Sequence, residues 1–385
     1  MHEPATAYVS AAAIQGNVEA VRRRIPPGTP ICVAVKANAY GHGLSQVLPA
    51  LVRAGIERLA VANLDEAVEL RALGWTGPIL CLGPILASRS ESERIENAAE
   101  AVAAHIAVTI TSPEEARLLA TAAKRQHRMG HVEIQVDTGM GRCGVRCDKA
   151  PDIIAQTALV PGILIDGVYM HFATADEDDL RFARSQLQEF KQLIARMREA
   201  KLAVGSFHAA NSAAVFRLPE SHLDLVRPGL CIYGYWGGPA SERPPDLRPI
   251  LRLVVRLTEI RRLPAGASVG YGCTWRAKRE SVIGTVSLGY ADGYRRVLGN
   301  RAIVTLETAR KQPCEPIAVV GRVSMDQINL DLTDAGPVAV GDRVVIIDDD
   351  PSSFNSVESL ATMTESIPYE ITTLIGRRVR RVSVP

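Results

Sequence analysis

The stretch ICVAVKANAYGHG, residues 31–43, sets an alternating aliphatic run against a lysine and follows it with small residues, a tyrosine and two glycines. Its first six residues read as a strand, and a strand that ends on an ammonium needs a reason. Seven more β-branched runs follow before residue 230: RLAVAN (58–63), PILCLG (78–83), HIAVTI (105–110), VEIQVD (132–137), ILIDGVYMH (163–171), GSFHAAN (205–211) and LDLVR (223–227). Longer amphipathic or alanine-rich segments separate them. Eight strands with helical spacers predict an α/β fold whose first part is a (β/α)8 TIM barrel; no G-x-G-x-x-G turn follows the first strand to favour an open doubly wound sheet.

The texture then changes. WGGPASERPPDLRP (236–249) is dense in glycine and proline and reads as a linker. Strand runs dominate beyond it, from ILRLVVRLTEIRRL (250–263) through SVIGTVSLG, RAIVTL, EPIAVVG and INLDL to DRVVIID (342–348), with short helices expected near 355–363 and 369–376. The expected division is a barrel over residues 1–238 and a mainly β C-terminal domain over 239–385.

With 385 residues, 47% of them apolar, the chain is long enough for two cored domains. Its 44 basic and 42 acidic residues form no basic, aromatic-interleaved face, which argues against nucleic acid and an acidic membrane surface and leaves a small molecule as the expected partner. Seven scattered cysteines (Cys32, Cys81, Cys143, Cys147, Cys231, Cys273 and Cys314) make no C-x-x-C pair and no zinc spacing. They read as reduced thiols, with Cys143 and Cys147 near enough in sequence to approach each other. The start, MHEPATAYVS, has no charged region followed by an apolar one, and AVAAHIAVTI is too short to span a bilayer, so a cytoplasmic protein without a metal is expected.

Alternation within the strands selects what points into the barrel, and active sites of this fold gather at the carboxyl ends. The inward set is Cys32, Ala34 and Lys36 on the first strand, then Glu133, Gln135 and Asp137 on the fifth. The sixth contributes Gly167, Tyr169 and His171, the seventh Ser206 and His208, and the eighth Arg227. A lone lysine at a strand end is ordinarily just solvated. Beside Arg142, Arg227 and His171, and against apolar walls, its charged form is disfavoured, which leaves a nucleophilic amine for a Schiff base. Beyond Arg227, Gly229 and Leu230 offer main-chain N–H donors, and Asn211 and Ser212 follow the seventh strand; that pair of loops is where barrels commonly bind phosphate. A Schiff-base lysine and a phosphate cradle in one mouth suggest pyridoxal 5'-phosphate.

These residues lie in stretches through which the chain closely resembles the alanine racemases: AVKANAYGHG, VDTGMGRCG, HFATADE, HAANSAA, LVRPGLCIYG, GYADGY, VGRVSMDQ and PYEI. The resemblance implies that Lys36 carries the cofactor and that Tyr40, Ser212, Tyr369 and the Gly229 and Leu230 backbone hold its phosphate, with Asn211 beside them. It implies that Arg227 faces the pyridine nitrogen, His171 lies against the ring and Arg142 approaches the phenolic oxygen and the substrate. It further implies a two-base racemisation of L- and D-alanine, with Lys36 on one face and Tyr271, from the partner subunit of a head-to-tail homodimer, on the other. Met325 and Asp326 correspond to the segment that receives the substrate carboxylate, and Tyr290 narrows the pocket. D-alanine made in this way serves peptidoglycan synthesis, or is consumed in catabolism.

Three positions depart from the family pattern. Gln135 stands where many members carry a carbamylated lysine; it can offer a carbonyl oxygen to Arg142 but no charge, leaving Asp137 or a bound anion such as chloride to balance the arginine. Ser324 stands in place of a frequent cysteine and Gly270 in place of a frequent serine. The alternative readings are a racemase of wider range, acting on serine or basic amino acids, and a non-catalytic cofactor-binding protein.

Overall fold

The structure is a computed structural model that describes residues 5–307 and 316–385. Seven of the expected strands form a parallel sheet in sequence order: Cys32–Ala34, Arg58–Val61, Ile79–Cys81, Ile106–Ile110, Gly130–Asp137, Ile163–Tyr169 and Ser206–His208. The eighth, expected over 223–227, is reduced to two bridges. Leu225 pairs with His208 and Val226 with Ile31, and these close the ring. The run is short because Leu223 turns into left-handed backbone at φ 49° and Pro228 has no N–H to donate. The carbonyls of Val226 and Pro228 still accept from Cys32 and Ala34 at 2.9 and 3.0 Å.

The intervening helices start where side-chain caps allow. Asn63 caps Leu64–Ala72, Ser90 caps Glu91–Ala103, and Ser112 with Glu115 forms a capping box on Pro113–Arg125. Their apolar faces cover the outside of the sheet. Inside, Cys32, Ala60, Leu80, Ala107, Tyr169 and Leu225 form a separate small cluster, and small residues there leave room for the polar groups above them.

The second sheet has eight strands, six of which close into a ring. Leu251–Leu263 pairs with Ser281–Val286, which leads through Ile328–Asp331, Ile317–Val320, Ile303–Leu306 and Arg343–Ile347 back to the long strand. Helices Val357–Met363 and Pro368–Thr373 lie where short helices were expected. The division at 238 needs one correction. The strand Thr6–Ser10 belongs to the second sheet, antiparallel to Leu251–Leu263 and parallel to Arg380–Val384, because its unpaired edge is satisfied there and not in the barrel.

The linker is also anchored. Trp236 packs edge-on against Phe216 at 5.8 Å, and Arg243 bonds Glu358 at 2.6 Å and the Gly234 carbonyl at 2.9 Å. Asn17, fully buried, donates to the carbonyls of Ile232 and Arg248 and accepts from the Arg248 N–H at 2.9 Å. The six described cysteines are unpaired: Cys143 turns to Gln135 and Cys147 to the Glu189 carbonyl rather than to each other, while Cys314 lies outside the described residues. Replacing Asn17 by alanine strands three backbone groups, the buried Ile232 carbonyl and the part-buried Arg248 N–H and carbonyl, so urea unfolding of Asn17→Ala should show a loss of roughly 2–4 kcal/mol. Wild-type stability would contradict the anchoring role.

Candidate active site

Lys36 opens the short segment Lys36–Tyr40 at the carboxyl end of the first barrel strand. Residues 37–40 all have φ between 53° and 55°, a left-handed turn that costs ~1–2 kcal/mol per non-glycine residue. Specific bonds hold it. Glu66 accepts from the Ala37 and Ala62 N–H groups at 2.6 and 2.7 Å, and Asn38 Oδ1 accepts from Leu44 at 2.7 Å. Beneath the turn, buried His42 donates from Nδ1 to the Ala39 carbonyl at 2.8 Å and stacks on Tyr233; burial pushes it down to about 4, so it stays neutral. Glu66 stands within no site motif, and Tyr233, although part of LVRPGLCIYG, carries no role that the motif alone assigns.

The Lys36 amine is half-buried. Burial, and then the Arg142 guanidinium, hold it below the ordinary amine range, with Glu66 acting in the opposite direction. Beside the turn, Tyr40 stacks on Tyr233 with ring centres 4.8 Å apart and tilts against Tyr369 at 5.7 Å. The Tyr40 hydroxyl lies over Gly229, where a Cβ would fall 2.5 Å from it. Ser212 Oγ accepts from the N–H groups of Gly229 and Cys231 at 2.9 and 3.2 Å, Asn211 caps the helix Ser212–Arg217, and Leu230 begins the turn Leu230–Tyr233. Tyr40, Asn211, Ser212, Gly229, Leu230 and Tyr369 thus form one cradle next to Lys36.

On the other side, Arg227 is buried with Nη1 2.7 Å from His208 Nδ1, Nη2 2.6 Å from the Met170 carbonyl, and its guanidinium 4.9 Å over the Tyr169 ring. His171 is pushed down to about 3 by burial and then by Arg227, Arg142 and Lys36, so it is neutral. The expected offer from Gln135 to Arg142 is not made. Gln135 Oε1 instead accepts from the Tyr169 hydroxyl and from Cys143 Sγ, both at 3.2 Å, because the strand points it at the buried tyrosine while Arg142 lies exposed on the following loop. Nor does Asp137 meet the arginine; its carboxylate accepts from Gly139 and Gly141 N–H groups.

Tyr271, Tyr290, Met325 and Asp326 occupy the β domain. Tyr271 is 69% exposed on a hairpin, Ser268–Val269 with Trp275–Arg276, that sequence reading did not anticipate. Gly270 and Gly272 give that turn its positive φ, and a Cβ on Gly272 would lie 2.9 Å from Arg322 Nη1. The loops of Tyr290 and Met325 are tied through Tyr290 N–H to Ser324 at 3.1 Å and Ala291 N–H to Met325 at 3.0 Å. Tyr290 is 42% and Met325 53% exposed, and Asp326 pairs with Arg378 at 2.8 Å. Among the described residues, no hydrogen bond, ion pair or ring contact joins these four to Lys36 or Arg227. Tyr369 alone of the β-domain candidates reaches the barrel mouth.

A desolvated lysine in a barrel mouth, facing a hydroxyl and glycine cradle on one side and a buried arginine on the other, defines an enzyme of the class that holds pyridoxal phosphate through an amine. The glycine cradle fits a phosphate that a side chain would exclude, and the lowered amine fits an aldehyde. The chain belongs to the alanine racemase family: residues 9–236 match its N-terminal domain and residues 250–383 its C-terminal domain. It is 37% identical to the alanine racemase of Desulfovibrio desulfuricans, covering 99% of this chain and 98% of that one. Identity to the alanine racemase of Desulforamulus reducens is also 37%, over the full length of both. The crystal structure of alanine racemase from Streptomyces lavendulae superposes with a TM-score of 0.88 at 31% identity, over 100% of this chain and 98% of that one. The Bacillus anthracis alanine racemase with bound L-Ala-P gives 0.87 at 31% identity, over 100% and 96%. The family's enzymes are pyridoxal-phosphate-dependent.

Gly229→Ala drives a methyl into the Tyr40 hydroxyl, and overpacking of this size should weaken cofactor retention about tenfold in equilibrium dialysis. Unchanged retention would remove Gly229 from the cradle.

Proposed function

We propose that this chain interconverts L- and D-alanine, supplying D-alanine for peptidoglycan or consuming it. The observation that carries the reading is the meeting of the Tyr40 hydroxyl, Ser212 and the Gly229 backbone in one cradle, four residues along the same turn from Lys36. Pyridoxal phosphate, when bound, supplies the electron-withdrawing ring that acidifies the alanine Cα–H. Lys36, its amine held below the ordinary range by burial and Arg142, anchors the cofactor and moves the proton at Cα from one face. Tyr40, Asn211, Ser212, Tyr369 and the Gly229 and Leu230 backbone hold the phosphate. Arg227 would hold a fixed positive charge toward the ring nitrogen and so disfavour a proton there, and neutral His171 would lie beside the ring.

The opposite face requires a second acid–base group, and Tyr271 is the one we assign. Its exposure, with that of Met325 and Tyr290, suits a head-to-tail homodimer in which the β domain of one copy completes the site of the other. Met325 and Asp326 then offer backbone N–H groups to the substrate carboxylate opposite Arg142, and Tyr290 limits the side chain to about a methyl. On this reading the functional division is the barrel, residues 1–238, against the β domain, residues 239–385, with Thr6–Ser10 lent to the second sheet. No helix among the described residues is long and apolar enough to cross a membrane, and the six unpaired thiols suit the cytoplasm.

Shared sites give a decisive mixing test. Lys36→Ala and Tyr271→Phe should each be inactive alone. Refolded together, half the dimers are mixed and each carries one intact site of two, so activity should return to about a quarter of wild type. No recovery would contradict the shared site. In Tyr271→Phe homodimers, exchange of the α-hydrogen with solvent deuterium should be suppressed more for one enantiomer than for the other; equal loss would remove its one-sided role.

A further inference from the structure

The most unusual group in the barrel is a carboxylate that the mechanism above does not use. Glu133 is fully buried on the fifth strand, with Oε2 2.9 Å from Nε2 of buried His208. The opposite nitrogen of the same ring, Nδ1, lies 2.7 Å from Arg227 Nη1. A guanidinium has only donors, so Nδ1 must accept, and the ring hydrogen must then sit on Nε2, 2.9 Å from the carboxylate oxygen but not aligned on it as a full hydrogen bond. Gly167 makes the meeting possible: a Cβ there would fall 2.9 Å from His208 Nε2 and 3.2 Å from Glu133 Cδ. Tyr169 stacks on the imidazole at 5.2 Å and so fixes the ring plane.

We propose that Glu133 is a positioning residue for the racemase site, acting through His208 to orient Arg227 and to offset the positive charge that Arg227 presents to the cofactor's ring nitrogen. The proposal rests on the assignment of Arg227 to that nitrogen. Three buried groups in line, carboxylate, neutral imidazole and guanidinium, carry no net charge, which removes much of the penalty of enclosing an arginine. Every charged or titratable neighbour agrees with this distribution. Burial alone would raise Glu133, but His208, Arg58 at 3.9 Å and Arg227 outweigh it and hold it ionised. Burial lowers His208 against the pull of Glu133, with Arg227 and Arg58 adding to burial, the same direction that a ring accepting from Arg227 at Nδ1 requires. Cys32, on the adjacent strand, is pushed up to about 12 and stays a thiol. His171, at the mouth, feels the charge of Arg227 together with that of Arg142 and Lys36.

The test uses the cofactor-loaded protein and the pH at which the visible absorbance of the bound cofactor changes. Glu133→Gln keeps an acceptor for His208 but deletes the negative charge, which disfavours cationic protonated forms at the mouth. The midpoint should therefore move to lower pH by roughly half a unit, and Glu133→Asp should return it toward wild type. Arg227→Gln should move it the opposite way. A packing role alone would leave the Glu133→Gln midpoint in place, and that result overturns the proposal. If Arg227→Gln moves the midpoint and Glu133→Gln does not, the relay is wrong and the site assignment stands; if neither moves it, the assignment of Arg227 fails as well.

A second readout needs neither activity nor a folded variant. Nitrogen-15 spectra of wild-type protein labelled at histidine should show His208 neutral with its hydrogen on Nε2 between about pH 6 and 9. A hydrogen on Nδ1, or on both nitrogens, would overturn the relay.

Discussion

Residues 37–40 follow the first barrel strand in left-handed backbone, and no residue among them is a glycine. Such a turn exists only where its surroundings over-determine it. Here Glu66 takes the freed N–H groups of Ala37 and Ala62, Asn38 bonds Leu44, and the His42 and Tyr233 stack fills the space beneath. The consequence is positional. The turn sets Lys36 beside Arg142 and His171 and, four residues on, sets the Tyr40 hydroxyl over Gly229. One strained segment thus places the amine and the cradle with a fixed spacing.

Much of this was legible in the sequence, and for a definite reason. Strand alternation has a period of two, so the parity that points Lys36 at the mouth also selects Gln135, Tyr169, His208 and Arg227, all of which are buried together. What escaped was set by contacts distant in sequence. The eighth strand shrinks to two bridges because Leu223 and Pro228 bracket it, and Thr6–Ser10 joins a sheet whose other members lie more than two hundred residues away. The hairpin of Tyr271 is too short, two residues a side, to show a period.

Charge balance at the mouth is settled differently from what Gln135 suggested. The glutamine does not hold Arg142; it receives Tyr169 and Cys143. The negative charge in the barrel sits two residues earlier, at Glu133, and serves Arg227 through His208. Arg142 is left exposed on its loop. Sequence reading had placed Glu133 inside the barrel, yet no motif flagged it, because its role depends on the absence of a side chain at Gly167.

The central claim is that the amine ending the first barrel strand is the group that holds the cofactor. Loading the protein with pyridoxal phosphate, reducing it with borohydride and mapping the fixed mass by peptide sequencing tests this directly. The mass is expected on Lys36. Attachment to any other lysine, or to none, would contradict the account.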